Sequence, residues 1–587
     1  MYGNSALRLL FLIPYQSLMI TLRQGILLFA FLHALLWMAS CQQASEAREQ
    51  PPAIDKLPTG EFIRQDLRFL LQQHTTNEST DSLRSSLFMY KPLQAFYQSK
   101  NFEPVWVDTG YWTRPALQLM AYIDTAAFDG LFPEDYHQDR LTSLKTLFAK
   151  DSLGRINGAL WTEAEMMLTD AAMRIVYDLK QGRLKPDSLH WRHDSSRYLS
   201  FFAKHVSGIL ETGDVNLYMG SLQPQWPVYR EIRRAIPDFL TSMDTTQYSY
   251  IPFPYQKSDS TDSIRFVRNL RLRLIEEGYA ALSKKPLPDS QQLAMVLSDY
   301  QKKKNLVVDG KAGPSVVRSL NMTDRMKRAF IAISLDKIKE LPDSVPDTYV
   351  WVNLPSFQLQ AWEMDTLSFV SRIIVGKPVT PTPEITSKIS DLVIYPTWTV
   401  PPGIIQKEML PGLKRNPGYL ARKGLNLYNH KGESVDPASI DWSKYKKAIP
   451  FKIQQGSGDD NALGVIKFNF DNPHFVYLHD TNQRYLFKNK QRALSHGCVR
   501  VQEWSALAAL ISRNDSLRLK PGDSLRFTTD SVHHWIAAKQ KNRVLVKHPV
   551  PLFIRYLSCE GRDGQMIFYD DIYQVDKKLK ERFFATR

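Results

Sequence analysis

The sequence predicts a multidomain α + β protein: a helical domain, then a small three-helix module, then a β-rich domain interrupted by an inserted lid. Three observations predict it. At 587 residues the chain is longer than one hydrophobic core usually serves. Apolar residues recur at helical spacing through the first half. From about Asp347 the pattern changes to alternation, broken by proline-fixed turns.

The helical domain is expected over residues 61–220. Its strongest element follows Trp161, with Met167, Leu168, Ala171, Ala172, Ile175, Val176 and Leu179 predicting one apolar helix face. The three-helix module is expected over 262–321. There Ile264, Val267, Leu270, Leu274 and Ile275 predict a helix face that stops at Gly278. A second helix is expected from about Ser290 to Lys304. An Asp309-Gly310 turn follows, and Pro314 opens a third helix carrying Val316, Val317 and Leu320.

The β-rich domain is expected over 347–535. Tyr349–Leu354, Phe357–Trp362 and Phe369–Val375 read as strands, and Thr380-Pro-Thr-Pro-Glu384 reads as a rigid loop. Leu392 to Pro402 reads as a strand running into a proline turn. Residues of about 404–451 turn helical and loop-like, and so long an insertion in a compact domain is more often functional than idle. Residues 536–587 follow as a C-terminal segment.

Composition narrows the setting. The 43% hydrophobic and 23% charged content supplies packed cores, and the net charge of +15 suits polyanionic surroundings. No zinc-finger spacing, Walker loop or RNP-like aromatic run accompanies that charge, so nucleic acid is not expected as a partner. At the N-terminus, Arg23 precedes a 16-residue apolar run, Gly25 to Ser40, shorter than the about 20 residues of a spanning helix. The run ends in Met38-Ala39-Ser40-Cys41, which resembles a lipobox with Cys41 as the lipidated residue. Residues 1–41 are thus read as a signal and lipobox segment, from Met1 or from a tidier start at Met19, and 42–60 as a flexible tether. A lipid at Cys41 or an uncleaved N-terminal helix would both leave the bulk of the chain membrane-anchored outside the cytoplasmic membrane, as expected of a periplasmic protein.

The chemistry concentrates in Ser495-His496-Gly497-Cys498-Val499-Arg500, with His479 lying 19 residues before Cys498. A thiol needs a base to become a thiolate and N–H donors to hold the oxyanion formed when it attacks a carbonyl. His479 is the candidate base, and Gly497 lets the backbone bend close to a substrate. His474, His479, Asp480, His496 and Cys498 also include metal-ligand types, but their spacing suits no common zinc motif, so neither a metal nor another cofactor is expected. Of the three cysteines, Cys559 is read as a packed thiol.

The His479 and Ser495–Arg500 segments together resemble the L,D-transpeptidase catalytic domain, in residue type, order and spacing. His479-Asp480 stands where many members carry His-Gly, a departure that resembles the large multidomain branch of the family. The resemblance implies a helical scaffold domain, a peptidoglycan-binding module at 262–321 and a catalytic domain with a lid at about 404–451, on which residues 536–587 pack back. It implies acyl transfer through a Cys498 thioester, release of D-Ala from tetrapeptide stems, and peptidoglycan stem peptides as donor and acceptor. Ser495, His496, Gly497 and Arg500 are then candidates for substrate binding or oxyanion support, Asn461 and Gly464 for a family turn, and a carbapenem for a covalent inhibitor. The alternatives are an L,D-carboxypeptidase or wall-anchoring transferase using the same pair, and a non-catalytic wall-binding lipoprotein.

Overall fold

The computed structural model describes residues 59–72, 86–184, 195–280, 282 and 290–584. Cys41, the leader and all but the last two residues of the expected tether lie outside the described residues. Among the described residues no helix is long and apolar enough to cross a membrane.

The helical domain is built on α1 (Gly60–Gln72), α2 (Tyr90–Ser99), α3 (Arg114–Thr125), α4 (Gln138–Lys150), α5 (Gly158–Gln181), α6 (Ser196–Thr212) and α7 (Val215–Ser221). The expected one-sided face of α5 is corrected here. Its Met166, Met173, Thr169 and Asp170 are buried as fully as Leu168 and Ile175. The helix is the axis of the domain, and its polar groups are buried because they are paired. Glu165, for example, accepts the N–H groups of Val105, Trp106 and Val107, while burial pushes its carboxyl up to about 7.

A further helix, α8 (Pro227–Thr241), belongs by packing to a different core. Trp226, Tyr229, Ile232 and Ile236 meet Ile331, Leu335 and Ile338 of α12 (Asp324–Ile338) and the outer side chains of the β-rich domain. Between them stands the small module, α9 (Ser260–Glu276), α10 (Ser290–Lys303) and α11 (Pro314–Asn321). Val316, Val317 and Leu320 are buried in it. The face of α9 is rotated from the expected one: Phe266, Leu270 and Leu274 are buried, whereas Ile264 is 54% exposed.

The β-rich domain holds β1 (Thr348–Asn353), β2 (Gln358–Glu363), β3 (Thr366–Gly376) and β4 (Ile385–Ile394). After the insertion come β9 (Ile466–Phe470), β10 (Leu478–His479), β11 (Ala493–Ser495), β12 (Val499–Val501) and β13 (Asn542–Arg555). The strand order is β11-β3-β12-β10-β9-β4-β13-β1-β2. The sheet closes on itself because β3 pairs with β2 through residues 366–372 and with β12 through 373–374. Inside lie Val350, Val352, Ile389, Leu392, Phe468, Leu478 and Val499. Helix α13 (Trp504–Leu517) adds Leu507, Leu510 and Ile511 to this core. Strand β1 is buried on both faces, since Tyr349 and Trp351 point to α8 while Val350 and Val352 point inward.

Two expectations are corrected in this domain. Residues 542–555 do not pack onto the sheet from outside; β13 is an interior strand, paired with β4 on one side and β1 on the other. Its apolar run, Val550 to Ile554, is what a strand enclosed by two neighbours requires. The lid contains a four-stranded sheet of its own, ordered β5 (Trp398–Thr399), β8 (Lys452–Gln455), β6 (Leu425–Tyr428), β7 (Ser434–Val435). Val400, Ile405, Leu413, Leu420, Leu427, Trp442 and Ile453 form its separate core.

The chain after β13 continues through β14 (Cys559–Arg562) and β15 (Gln565–Phe568) to α15 (Val575–Phe583), with α14 (Thr529–Ala537) lying earlier, after α13. Cys559 is fully buried, its Sγ 3.3 Å from Ser334 Oγ, and burial pushes the thiol up to about 12. Lys337 of α12 donates to Asp576 Oδ1 of α15 and to the Tyr556 carbonyl, both at 2.6 Å. Asp576 is 0% exposed, so removing its partner strands a carboxylate out of water. Lys337→Ala is therefore expected to lower unfolding stability by about 3–5 kcal/mol, read as a drop in urea midpoint.

Candidate active site

The site grows from two short strands. β10 and β12 pair in parallel, Leu478 opposite Val499 and His479 opposite Arg500. The Val499 N–H donates to the Tyr477 carbonyl at 3.2 Å. Side chains alternate along a strand, so Leu478 and Val499 enter the core, while Tyr477, His479, Cys498 and Arg500 share the outer face. On β9, Lys467 pairs opposite His479 and extends this face by one strand. The structure thus brings the predicted nucleophile and base to one surface.

The turn before Cys498 is locked from within and from beneath. The Ser495 hydroxyl donates to the Cys498 carbonyl at 2.6 Å and accepts the Gly497 N–H at 3.1 Å. Gly497 sits at φ +124°, a conformation side chains rarely adopt. The Thr382 hydroxyl accepts the Gly376 N–H at 2.9 Å and donates to the Gly497 carbonyl at 2.8 Å. The Tyr573 hydroxyl donates to the Gly376 carbonyl at 2.6 Å. The Thr380–Glu384 loop, read from sequence only as rigid, is the seat of the cysteine turn.

The four candidate support residues divide by role. Ser495 and Gly497 shape the turn, and the Gly497 N–H is already occupied. The Cys498 N–H makes no hydrogen bond among the described residues. His496 reaches the lid: its Nε2 lies 2.5 Å from Glu408 Oε1. Arg500 donates to Thr481 Oγ1 at 3.3 Å and Gln483 Oε1 at 3.1 Å. It has no carboxylate partner among the described residues, which leaves its charge available. Asp480 takes Arg484 and the Val465 N–H, so it is a scaffold group. A Cβ on Gly464 would lie 2.3 Å from Asp480 Oδ2, which explains the glycine there. Asn461 closes the same turn, accepting the Leu463 N–H at 2.8 Å. Among the described residues no group of three or more His, Cys, Asp or Glu side chains is placed to hold a metal.

Burial sets the electrostatics. His479 is 4% exposed, and its pKa falls to about 3, first through burial, then through the nearby charges of Arg500 and Lys467. Its Nδ1 lacks a partner at full hydrogen-bond geometry, although the Asp480 and Leu463 backbone favours the cation weakly. Burial also raises the Cys498 thiol, opposed by the Tyr477 backbone and hydroxyl, then by Lys467 and Arg500. Burial thus disfavours both charged forms, the Cys498 thiolate and the His479 imidazolium.

Tyr477 is a site residue that the motif reading left without a role. Its hydroxyl meets the Cys498 sulfur, and its ring packs edge-on against His479, centroids 5.6 Å apart. Its position two residues before His479 in a strand was the available signal. A separate cleft of about 970 Å³ lies away from the cysteine. It is bounded by Lys311 and Arg318 of the small module and by Phe357, Lys490 and Arg492 of the β-rich domain.

Residues 347–523 match the family model of the L,D-transpeptidase catalytic domain, and residues 91–236 match that of a scaffold domain. The chain carries an L,D-transpeptidase catalytic domain. A curated Haemophilus influenzae protein, provisionally named an L,D-transpeptidase, is 32% identical over 249 residues, 42% of this chain and 48% of that one. The chain thus spans about half the length of that relative. A solved structure described as an Ldtfm–avibactam carbamoyl enzyme shares 13% identity at a TM-score of 0.15, over 36% of this chain and 49% of that chain. An Enterococcus faecium L,D-transpeptidase crystallised with a cysteine-to-serine substitution shares 12% at 0.13, over 36% and 50%. The scaffold match runs past residue 220 into α8, whose packing lies against the transpeptidase domain.

Two outcomes are expected from this geometry. Thr382→Val leaves the buried Gly497 carbonyl and Gly376 N–H unpaired, a cost of about 1–3 kcal/mol, and loosens the cysteine turn. The rate of Cys498 alkylation by iodoacetamide should change while the overall fold, read by circular dichroism, persists. The second concerns pH. The folded pKa of His479, about 3, lies below the ordinary 6.5, so the unfolded chain binds the proton first. The contribution of neutral His479 to stability is complete above about pH 6.5 and is lost as pH falls toward 3. His479→Gln should flatten that acid-side decline in denaturation midpoints.

Proposed function

We propose that the chain is a murein L,D-transpeptidase that forms peptidoglycan cross-links through a thioester on Cys498. The observation that carries this reading is the shared outer face of β10 and β12, which holds His479, Tyr477 and Cys498 together at the end of a rigid turn. Cys498 attacks the carbonyl of the bond preceding the terminal D-Ala of a tetrapeptide stem. His479, neutral before the reaction, takes the thiol proton and returns it to the departing amine as the C–N bond breaks. The Cys498 N–H is the oxyanion donor, since the turn consumes the Gly497 N–H. Arg500 pairs with a carboxylate of the retained stem. An amine of a second stem then attacks the thioester, giving a new amide and free Cys498. One amide replaces another, so no external energy source is required.

The low imidazole pKa makes His479 a weak base for a thiol whose own pKa is raised, so the proton transfer depends on bound substrate to stabilise the charges that form. The same low pKa keeps His479 a proton acceptor at neutral pH, and the Cys498 sulfur becomes charged only when substrate is in place. The module at 262–321, with the cleft of mixed charge beside it, serves wall binding on this reading. Attachment through Cys41, or through an uncleaved N-terminal helix, holds the enzyme at a membrane facing the periplasm.

The deciding experiment incubates a soluble chain starting near Ser45 with purified disaccharide-tetrapeptide and reads products by mass spectrometry. A dimer lacking one D-Ala, absent with Cys498→Ala, is the expected result. Tripeptide alone would reassign the enzyme as an L,D-carboxypeptidase. An unchanged stem with binding retained would make it a non-catalytic wall binder. A carbapenem should add one covalent adduct to the intact protein and none to Cys498→Ala.

A further inference from the structure

Lys467 is a half-buried cation on the catalytic face with no carboxylate partner among the described residues. The nearest acid on the neighbouring strand, Asp391, is committed elsewhere. It accepts from Arg543 at 3.2 Å and from Asn469 at 2.6 Å. The Lys467 ammonium instead lies 4.0 Å from the centroid of the Tyr477 ring. Holding an ammonium partly out of water without a counter-charge is unfavourable unless something arrives to pair with it.

Register says where that partner would come from. Arg500, His479 and Lys467 stand in one row across β12, β10 and β9. Cys498 lies just before β12, beside Tyr477. Adjacent strands are about 4.8 Å apart, so His479 stands between the cysteine strand and Lys467. A substrate carbonyl at Cys498 puts its leaving nitrogen at His479, and whatever that nitrogen carries is directed onward to β9.

We infer that Lys467 binds the α-carboxylate of the departing D-amino acid and so selects donors that end in a free carboxylate. This rests on the acyl-transfer reading of Cys498 and His479. No proton passes through Lys467. The C–N bond breaks, the nitrogen takes the proton held by His479, and the freed amino acid leaves with its carboxylate still paired to the ammonium. Arg500 is less suited to that carboxylate. It flanks His479 on the cysteine side, and its Nη1 is tied to Thr481 and Gln483. The Lys467 charge also favours the Cys498 thiolate, but the Tyr477 ring stands against its ammonium and the Tyr477 hydroxyl is the group that meets the sulfur, so contact with the thiolate does not pair the ammonium directly.

The test compares Lys467→Met and Lys467→Arg with the wild-type chain on two soluble donors, a tetrapeptide with a free terminal carboxylate and the same peptide amidated there. The quantity read is the ratio of kcat/KM for acid over amide. Lys467→Met should lower that ratio about tenfold or more, mainly through KM for the acid, and Lys467→Arg should restore most of it. Lys467→Arg, which keeps the positive charge near the sulfur, should leave the pH profile of Cys498 alkylation by iodoacetamide in place, whereas Lys467→Met should move it upward. An unchanged ratio or equal loss on both donors would overturn the proposal, the second by making Lys467 a thiol-tuning group. If the wild-type chain releases D-Ala from neither donor, the acyl-transfer reading itself falls, a separate outcome.

Discussion

The parallel pairing of β10 with β12 is the constraint on which the rest depends. Only two residues of each strand are in register, yet a slip of one residue would turn His479 inward and put Leu478 on the surface. What prevents the slip is not the strands' own length. It is the fully buried Leu478 and Val499 on the core face, the antiparallel support of β9 beside β10, and β3 beside β12. The closed sheet leaves neither strand an edge to move toward. A catalytic geometry set by two residue pairs is therefore as rigid as the ring around it.

The same burial that fixes the geometry sets the chemistry. Water is largely excluded from His479, so its cation is disfavoured, and the Cys498 thiolate is disfavoured for the same reason. Separating charge between them therefore costs free energy, and in the proposed reaction the donor's oxyanion and carboxylates would offset that cost. Lys467 and Arg500 supply opposing charge on either side of His479 without neutralising carboxylates of their own. The outer face is electropositive, in keeping with the proposed acidic donor peptide and with the net charge of +15.

The sequence made some of this legible and hid the rest for physical reasons. Cys498 and His479 stood out because reactive chemistry restricts residue type and spacing. Val316, Val317 and Leu320 were legible because a helix with one wet face keeps its period. The α5 helix was misjudged because a helix buried all round carries paired polar groups, such as Glu165 and Asp170, that mimic a wet face. In α9 the true face runs through Phe266, and the exposed Ile264 misled because isolated surface apolar residues are ordinary. β13 was assigned to a trailing segment because sheet neighbours are not sequence neighbours. Thr382 and Lys467 carry no motif; only strand pairing and the fold of the 380–384 loop bring them to the site.

The lid shows how so large an insertion can sit in the ring without disturbing it. β4 and β9 are antiparallel neighbours, Ile394 opposite Ile466, and the Tyr395 N–H donates to the Val465 carbonyl at 2.8 Å. The lid thus occupies the place of a hairpin turn, entering and leaving at adjacent points. Closing a long loop costs little more than closing a short one, because the entropy grows only with the logarithm of length. The larger cost, ordering the inserted backbone, is offset within the lid by its own sheet and its own apolar core. Its tie to the cysteine turn is then free to be slight. The exposed pair of Glu408 and His496 joins lid to turn through a solvent-facing contact, and such an exposed pair is worth little.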